Sequence, residues 1–327
     1  MHETERSPSS ERPVAHSRFP LVDRNASLHE FESVFTSSVP SHNGCLSIEG
    51  GWGMGRTSLL NAACLTAEGA GCQVLRARGG SLERDVPFGA LLQIIEGIAA
   101  LRNANEEIVA RIEVVLTLIR RDGERNFGAL GAALYDLLLA VRALGPVVIA
   151  VDDADVVDDA TITTLEYVYH RLDDRQIWLL TSSPPRRPGA PPLPIEHVLV
   201  NQHVRHFALT ALSREGVRIV LERQLKLTSE NGIVDAVLAV TGGRPEFVVE
   251  VAKVLREGHL ETGPDVTALL ERLSLPRVSQ GVAIRLSRVA TGARELLEVC
   301  AVLGDASDVA TVAQLAIYDP GKARPRA

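Results

Sequence analysis

Apolar positions along the chain gather in short strand-length segments separated by longer stretches in which they recur at helical spacing. These segments are Cys45–Ile48, Cys72–Ala77, Val147–Val151, Ile177–Thr181 and a short one at 204–208. Val147–Val151 is apolar at every position, which suits a central parallel strand covered on both faces. Leu28, Phe31, Val34 and Phe35 follow a helical period, with Ser27 as the expected N-cap. Further helices are expected near 56–65, 88–102, 105–120, 126–143 and 159–172. Strands alternating with helices predict right-handed crossovers and an α/β fold with a doubly wound parallel sheet.

From residue 211 the pattern is helical only, with helices expected near 211–225, 231–240, 245–257, 281–289, 291–303 and 308–317. The expected organisation is a polar, disordered tail at 1–18 and an α/β domain at 19–209. An all-α, winged-helix-like lid with the start of a further helical domain follows at 210–318, then a frayed tail at 319–327. The proline-rich stretch Pro184–Pro194 reads as a surface loop.

The segment after the first strand carries the candidate chemistry. Gly50-Gly51-Trp52-Gly53-Met54-Gly55-Arg56-Thr57-Ser58 matches the phosphate-loop pattern G-x-x-x-x-G-K-[ST], except that Arg56 stands at the lysine position. Spaced glycines let successive backbone N–H groups converge on phosphate oxygens, and the following helix adds the positive end of its dipole. Thr57 offers a hydroxyl to Mg²⁺. A plain flexible turn between strand and helix is the competing reading; the apolar strand before, the helix after and an acidic strand end downstream weigh against it. That acidic end is Asp152-Asp153. Asp152 is expected in the magnesium shell with Thr57, and Asp153 as the residue that orients or deprotonates an attacking water. The pair would otherwise cap the next helix, a role for which Asp158 is better placed.

Composition adds limits. The net charge of −7 argues against a broadly basic surface for nucleic acid. Lys226, Lys253 and Lys322 are the only lysines among 34 basic residues, so drift toward arginine is a second explanation of Arg56. Cys45, Cys64, Cys72 and Cys300 show no C-x-x-C spacing and lie in apolar surroundings, as expected of reduced buried thiols in a cytoplasmic protein. No apolar stretch is long enough to span a bilayer, and no G-x-S-x-G or H-E-x-x-H occurs. The histidines are scattered, and His203-Val204-Arg205-His206 alternates like an exposed strand face.

Taken together, these residues resemble the amino-terminal ATPase module of large LuxR-type transcriptional regulators, a branch of the STAND relatives of AAA+ ATPases. Leu21-Val22-Asp23-Arg24 resembles that family's L-V-G-R opening, with Asp23 in place of its glycine. Val74–Arg78 with Leu82–Gly89 resembles a family-specific stretch, Asp152–Asp158 its D-D-A-H-W-x-D, and Gly242-Gly243-Arg244-Pro245 its G-G-N-P. The resemblance implies a P-loop NTPase of AAA+/STAND type that binds ATP or ADP with Mg²⁺. Val22 and Arg24 would lie near the adenine, residues 50–58 around the phosphates and Pro245 against the base. Thr181-Ser182-Ser183 falls where many relatives have an arginine that senses the terminal phosphate, and the next arginines are Arg186 and Arg187. Together with Arg56 this implies a nucleotide-dependent switch with weak or no hydrolysis; a degenerate interaction module is the alternative. The chain is expected to be a truncated relative that lacks the family's DNA-binding domain, so direct DNA binding is not expected. Self-association or contact with a full-length regulator is. An origin-recognition type of remodelling role is disfavoured by the acidity and the LuxR-like segments.

Overall fold

The computed structural model describes residues 21–36, 44–80, 84–122, 126–172, 176–185, 198, 204–226, 231–257 and 291–303. The tails at 1–18 and 319–327, most of the proline-rich loop with Arg186 and Arg187, and the helices expected near 281–289 and 308–317 lie outside the described residues.

Five strands, β1 (Cys45–Glu49), β2 (Gln73–Arg78), β3 (Val147–Asp152), β4 (Ile177–Ser183) and β5 (Val204–Ala208), form one sheet in the order β2-β3-β4-β1-β5. All four pairings are parallel. The helices among the described residues are α1 (Asn25–Thr36), α2 (Arg56–Gly69), α3 (Gly89–Ala99), α4 (Glu106–Asp122), α5 (Phe127–Arg142) and α6 (Asp159–Tyr169) around the sheet. After it come α7 (Arg214–Leu225), α8 (Asn231–Thr241), α9 (Pro245–Glu257) and α10 (Thr291–Leu303).

Strand periodicity divides the core. Cys45, Leu75, Ile149 and Leu179 face a cluster with Leu91, Ile94, Leu130, Leu134 and Leu165 of α3, α5 and α6. Leu46, Ile48, Val148, Ala150 and Leu180 face the other way, onto Phe31 of α1 and Leu59, Ala63 and Cys64 of α2. Two covered faces explain why β3 is apolar from Val147 to Val151 and buried at all six positions, Asp152 included. A third cluster joins Val217, Leu221, Val234, Val237, Val248 and Ala252 of α7, α8 and α9, and Val22 from the start of the chain inserts into it.

Several boundaries differ from expectation for local reasons. α1 begins at Asn25, not at a Ser27 cap, because Leu28 N–H already reaches Arg24 O at 3.0 Å. β2 begins at Gln73, since Cys72 N–H is still tied to Ala67 O at the end of α2. β4 runs two residues beyond Thr181, because Ile48 and Glu49 pair with Ser182 and Ser183. α7 starts at Arg214 behind Ser213, whose side chain caps Gly216 N–H. Cys45, Cys64 and Cys72 are buried as expected, but Cys300, on α10, is exposed.

Candidate functional site

The loop between β1 and α2 owes its path to its glycines. Gly53 and Gly55 adopt φ of 75° and 87°, the left-handed region that glycine enters without steric cost. At Gly55 no atom lies within 4 Å of where a Cβ would be, so the loop is open on that side. Gly50 answers a different need, for a Cβ there would come 3.0 Å from the Leu209 Cβ. α2 then begins at Arg56, and helix geometry leaves the N–H groups of its first turn without intrahelical acceptors.

Across from this loop, β3 ends at Asp152. Thr57 Oγ1 donates to Asp152 Oδ2 at 2.8 Å, and the Ser182 hydroxyl donates to Asp152 Oδ1. The same Ser182 oxygen accepts from Asp153 N–H at 3.0 Å, which fixes Asp153 in a left-handed conformation with φ of 50°. Asp153 turns its carboxylate to two arginines: Arg56 Nη2 at 2.9 Å from Oδ1 and Arg78 Nη2 at 3.1 Å from Oδ2. Neither aspartate caps α6. Asp158 does, accepting from Thr161 N–H at 2.8 Å, and its buried carboxylate also takes the N–H groups of Phe88 and Ala90 at the start of α3. Asp155, one turn of 3₁₀ helix away, has a buried oxygen with no partner, and burial pushes its carboxyl above the usual range.

The helical cluster closes the other side. Arg244 Nη1 donates to Trp52 O at 2.9 Å, Glu246 N–H donates to Gly53 O at 3.1 Å, and the Trp52 and Phe247 rings meet edge-on at 5.1 Å. The tip of the glycine loop is thus fastened to the first turn of α9. Arg24 fastens the chain start, donating to Asp23 O, Met54 O and Thr210 O, and burial lowers its pKa against the opposing pull of Asp23. Asp23 itself has φ of 58° and accepts from Ser213 N–H at 2.7 Å. Aspartate is one of the few residues besides glycine that enter the left-handed region, and here its carboxylate meets a donor across the fold, at the start of α7.

Between these walls lies a cleft of about 480 Å³, within the size range of small-molecule sites. Val22, Arg24, Gly51, Trp52, Gly53, Met54, Gly55, Arg56, Thr57, Ser58, Asp153 and Pro245, all expected at a site, line it. Gly50 and Asp152 sit behind it, one under Leu209 and the other under Thr57 and Ser182. Arg78, Leu212, Val220, Glu246, Val249, Glu250 and Lys253 line it as well, without having been assigned there from sequence. Lys253 had a signal in being one of only three lysines in an arginine-rich chain. The others follow ordinary strand and helix periods, which mark a face but not what the face meets.

The arrangement suits a nucleotide. Apolar Leu21, Val22, Leu212, Val220 and Val249 with Pro245 offer a surface for a flat base, and the glycine loop with Arg56 offers donors to phosphates. No group of three or more His, Cys, Asp or Glu side chains among the described residues forms a metal cage. The adjacent oxygens of Thr57 and Asp152 do fit Mg²⁺, a cation that keeps waters and shares phosphate oxygens.

Comparison with known proteins agrees. A family profile described as the AAA ATPase domain matches residues 20–180. No curated protein sequence matches the chain. Among solved structures, the ORC2 protein of Aeropyrum pernix, in its ADPNP-ADP complexes, is similar at TM-score 0.56 and 15% identity, over 92% of this chain and 81% of that one. The ORC1 protein of Aeropyrum pernix, in complex with DNA, is similar at TM-score 0.51 and 12% identity, over 91% of this chain and 77% of that one. At such identities the likeness speaks for the fold. The chain therefore has a P-loop AAA+ fold, with the match to the AAA ATPase domain on residues 20–180.

Proposed function

We propose that this chain binds ATP or ADP with Mg²⁺ in the cleft between the glycine loop and α9, and acts as a nucleotide-dependent switch that hydrolyses ATP slowly or not at all. The observation that carries the reading is that the loop, Arg56, Thr57, Asp153 and Pro245 line one cleft of about 480 Å³. Thr57 and Asp152 would hold the magnesium, whose chemistry is to neutralise phosphate charge and order the oxygens around it. Val22 and Pro245 would flank the base, and Arg24 would keep the chain start against the loop. Asp153 would orient water, but its two oxygens are engaged by Arg56 and Arg78, which favours slow turnover.

A division into an α/β domain at 19–209 and a helical lid at 210–318 gives the switch its two parts. Nucleotide touching both would bias how they sit together, by as much as it binds one arrangement better than the other. The LuxR-like segments favour a cytoplasmic role within transcription regulation, through self-association or a full-length regulator. The tie of Arg244 and Glu246 to Trp52 and Gly53 favours a second reading, a degenerate module whose lid is held by protein contacts and which acts through a partner.

Calorimetric titration with Mg·ATP and Mg·ADP tests binding, and single-turnover assays test hydrolysis. Saturable binding of both with little phosphate release supports the switch. No heat at millimolar nucleotide would remove the nucleotide reading.

A further inference from the structure

Arg56 and Arg78 reach Asp153 from different elements, one the first residue of α2 and the other the last of β2. Each takes its own oxygen: Arg56 Nη2 lies 2.9 Å from Oδ1, and Arg78 places Nη2 at 3.1 Å and Nε at 3.4 Å from Oδ2. Both line the cleft beside the glycine loop. The Arg78 side chain is 67% exposed, so burial does not hold it there.

Its backbone, by contrast, is fixed. Gln93 of α3 accepts from Arg78 N–H at 2.9 Å and donates to Arg78 O at 3.2 Å. The next residue, Gly79, donates to Asp152 O at 2.8 Å, and a Cβ there would fall 2.3 Å from Asp153 O. The ends of β2 and β3 are therefore locked together with Arg78 aimed along the acidic strand end.

Two guanidinium groups converging on one carboxylate, which offers two oxygens and one charge, make a frame suited to a tetrahedral phosphoryl group with three oxygens and more charge. Asp153 then plays the part of an internal anion in that frame.

We propose that Arg78, together with Arg56, reads the terminal phosphate of a bound nucleoside triphosphate, and that Asp153 holds the two arginines together while competing with that phosphate for them. The inference rests on the nucleotide reading above. It assigns preference for triphosphate over diphosphate to Arg78, whereas Arg56, within the loop, serves both nucleotides. It also makes Asp153 an opponent of triphosphate binding.

Calorimetric dissociation constants of Mg·ATP and Mg·ADP for the wild type, Arg78→Ala, Arg78→Lys and Asp153→Asn test this. Arg78→Ala is expected to weaken ATP about tenfold or more, the scale of one charged hydrogen-bonding pair, while ADP changes by less than about twofold. Arg78→Lys should recover part of the loss, and Asp153→Asn, which frees both arginines, should tighten ATP more than ADP. Unchanged ADP affinity in Arg78→Ala shows that the variant is folded. If Arg78→Ala weakens both nucleotides alike, or neither, the inference is overturned while the nucleotide reading stands. A wild type that binds neither nucleotide overturns both.

Discussion

Arg56 Nη2 lies 2.9 Å from Asp153 Oδ1, across the gap between the start of α2 and the end of β3. The cation at the lysine position of the glycine loop and the acid proposed to orient water thereby neutralise each other. Both side chains are mostly buried, at 15% and 22% exposure, so solvent screens the pair less than it would a surface pair. A lysine would bring the same charge as a compact, rotatable ammonium, without the planar fork that meets a carboxylate so readily.

Arg56→Lys is accordingly expected to raise the single-turnover rate of ATP hydrolysis. The ceiling is the value of one well-placed transition-state donor, roughly 10²–10³ in rate. A variant no faster than the wild type would show that Arg56 is not what limits turnover.

Asp23 joins the chain start to α7 through two separable effects, a left-handed backbone and a 2.7 Å bond from Ser213 N–H. Asp23→Gly loses only the bond, at about 0.5–1.5 kcal/mol, whereas Asp23→Ala adds about 1–2 kcal/mol of backbone strain. Urea denaturation of the two variants should therefore rank alanine below glycine. Equal losses would mean that the left-handed conformation carries no cost at this position.

Asp158 holds α3 and α6 together, accepting from Phe88 N–H, Ala90 N–H, Thr161 N–H and the Thr161 hydroxyl. It is buried, so removal strands donors away from water. Asp158→Ala should cost about 2–4 kcal/mol of unfolding free energy, and Asp158→Asn less. A loss below about 1 kcal/mol for the alanine would contradict the double-cap role.

Burial raises the Cys64 thiol to about 11, against an ordinary value of 9.0. The folded protein thus keeps a proton that the unfolded chain gives up, so this contribution to stability is present below pH 9 and lost as pH rises toward 11. Cys45 is shifted in the same direction by burial. In native protein at pH 8, iodoacetamide should label Cys300 first, being exposed, and Cys64 only after unfolding. Equal labelling of Cys64 and Cys300 would show that α2 opens readily.

The central strand was legible in the sequence because burial on both faces writes a continuous apolar run, and β3 falls where Val147–Val151 lies, whereas the edge strand β5 shows itself only by alternation. The glycine loop and Asp152-Asp153 were legible because their chemistry needs fixed spacings. The end of β4 was not, since Ser182 and Ser183 are polar residues beyond the apolar run, held in the strand by pairing with Ile48 and Glu49 and by the buried partner Asp152 gives Ser182. Arg78 stands out only within the resemblance of Val74–Arg78, because an exposed residue at the end of an edge strand carries no periodic mark. Cys300 follows apolar neighbours along the chain but faces outward on its helix, a distinction that local composition does not hold.

The central claim is that a nucleotide sits between the glycine loop and α9. Hydrogen–deuterium exchange of the full chain with and without saturating Mg·ADP tests it most directly, because it reports where protection arises. Slowed exchange is predicted in two separate segments, the loop and first turn of α2 at 51–58 and the cleft-facing part of α9 at 245–253. Protection confined to other segments, or no change in either of these, would contradict the account.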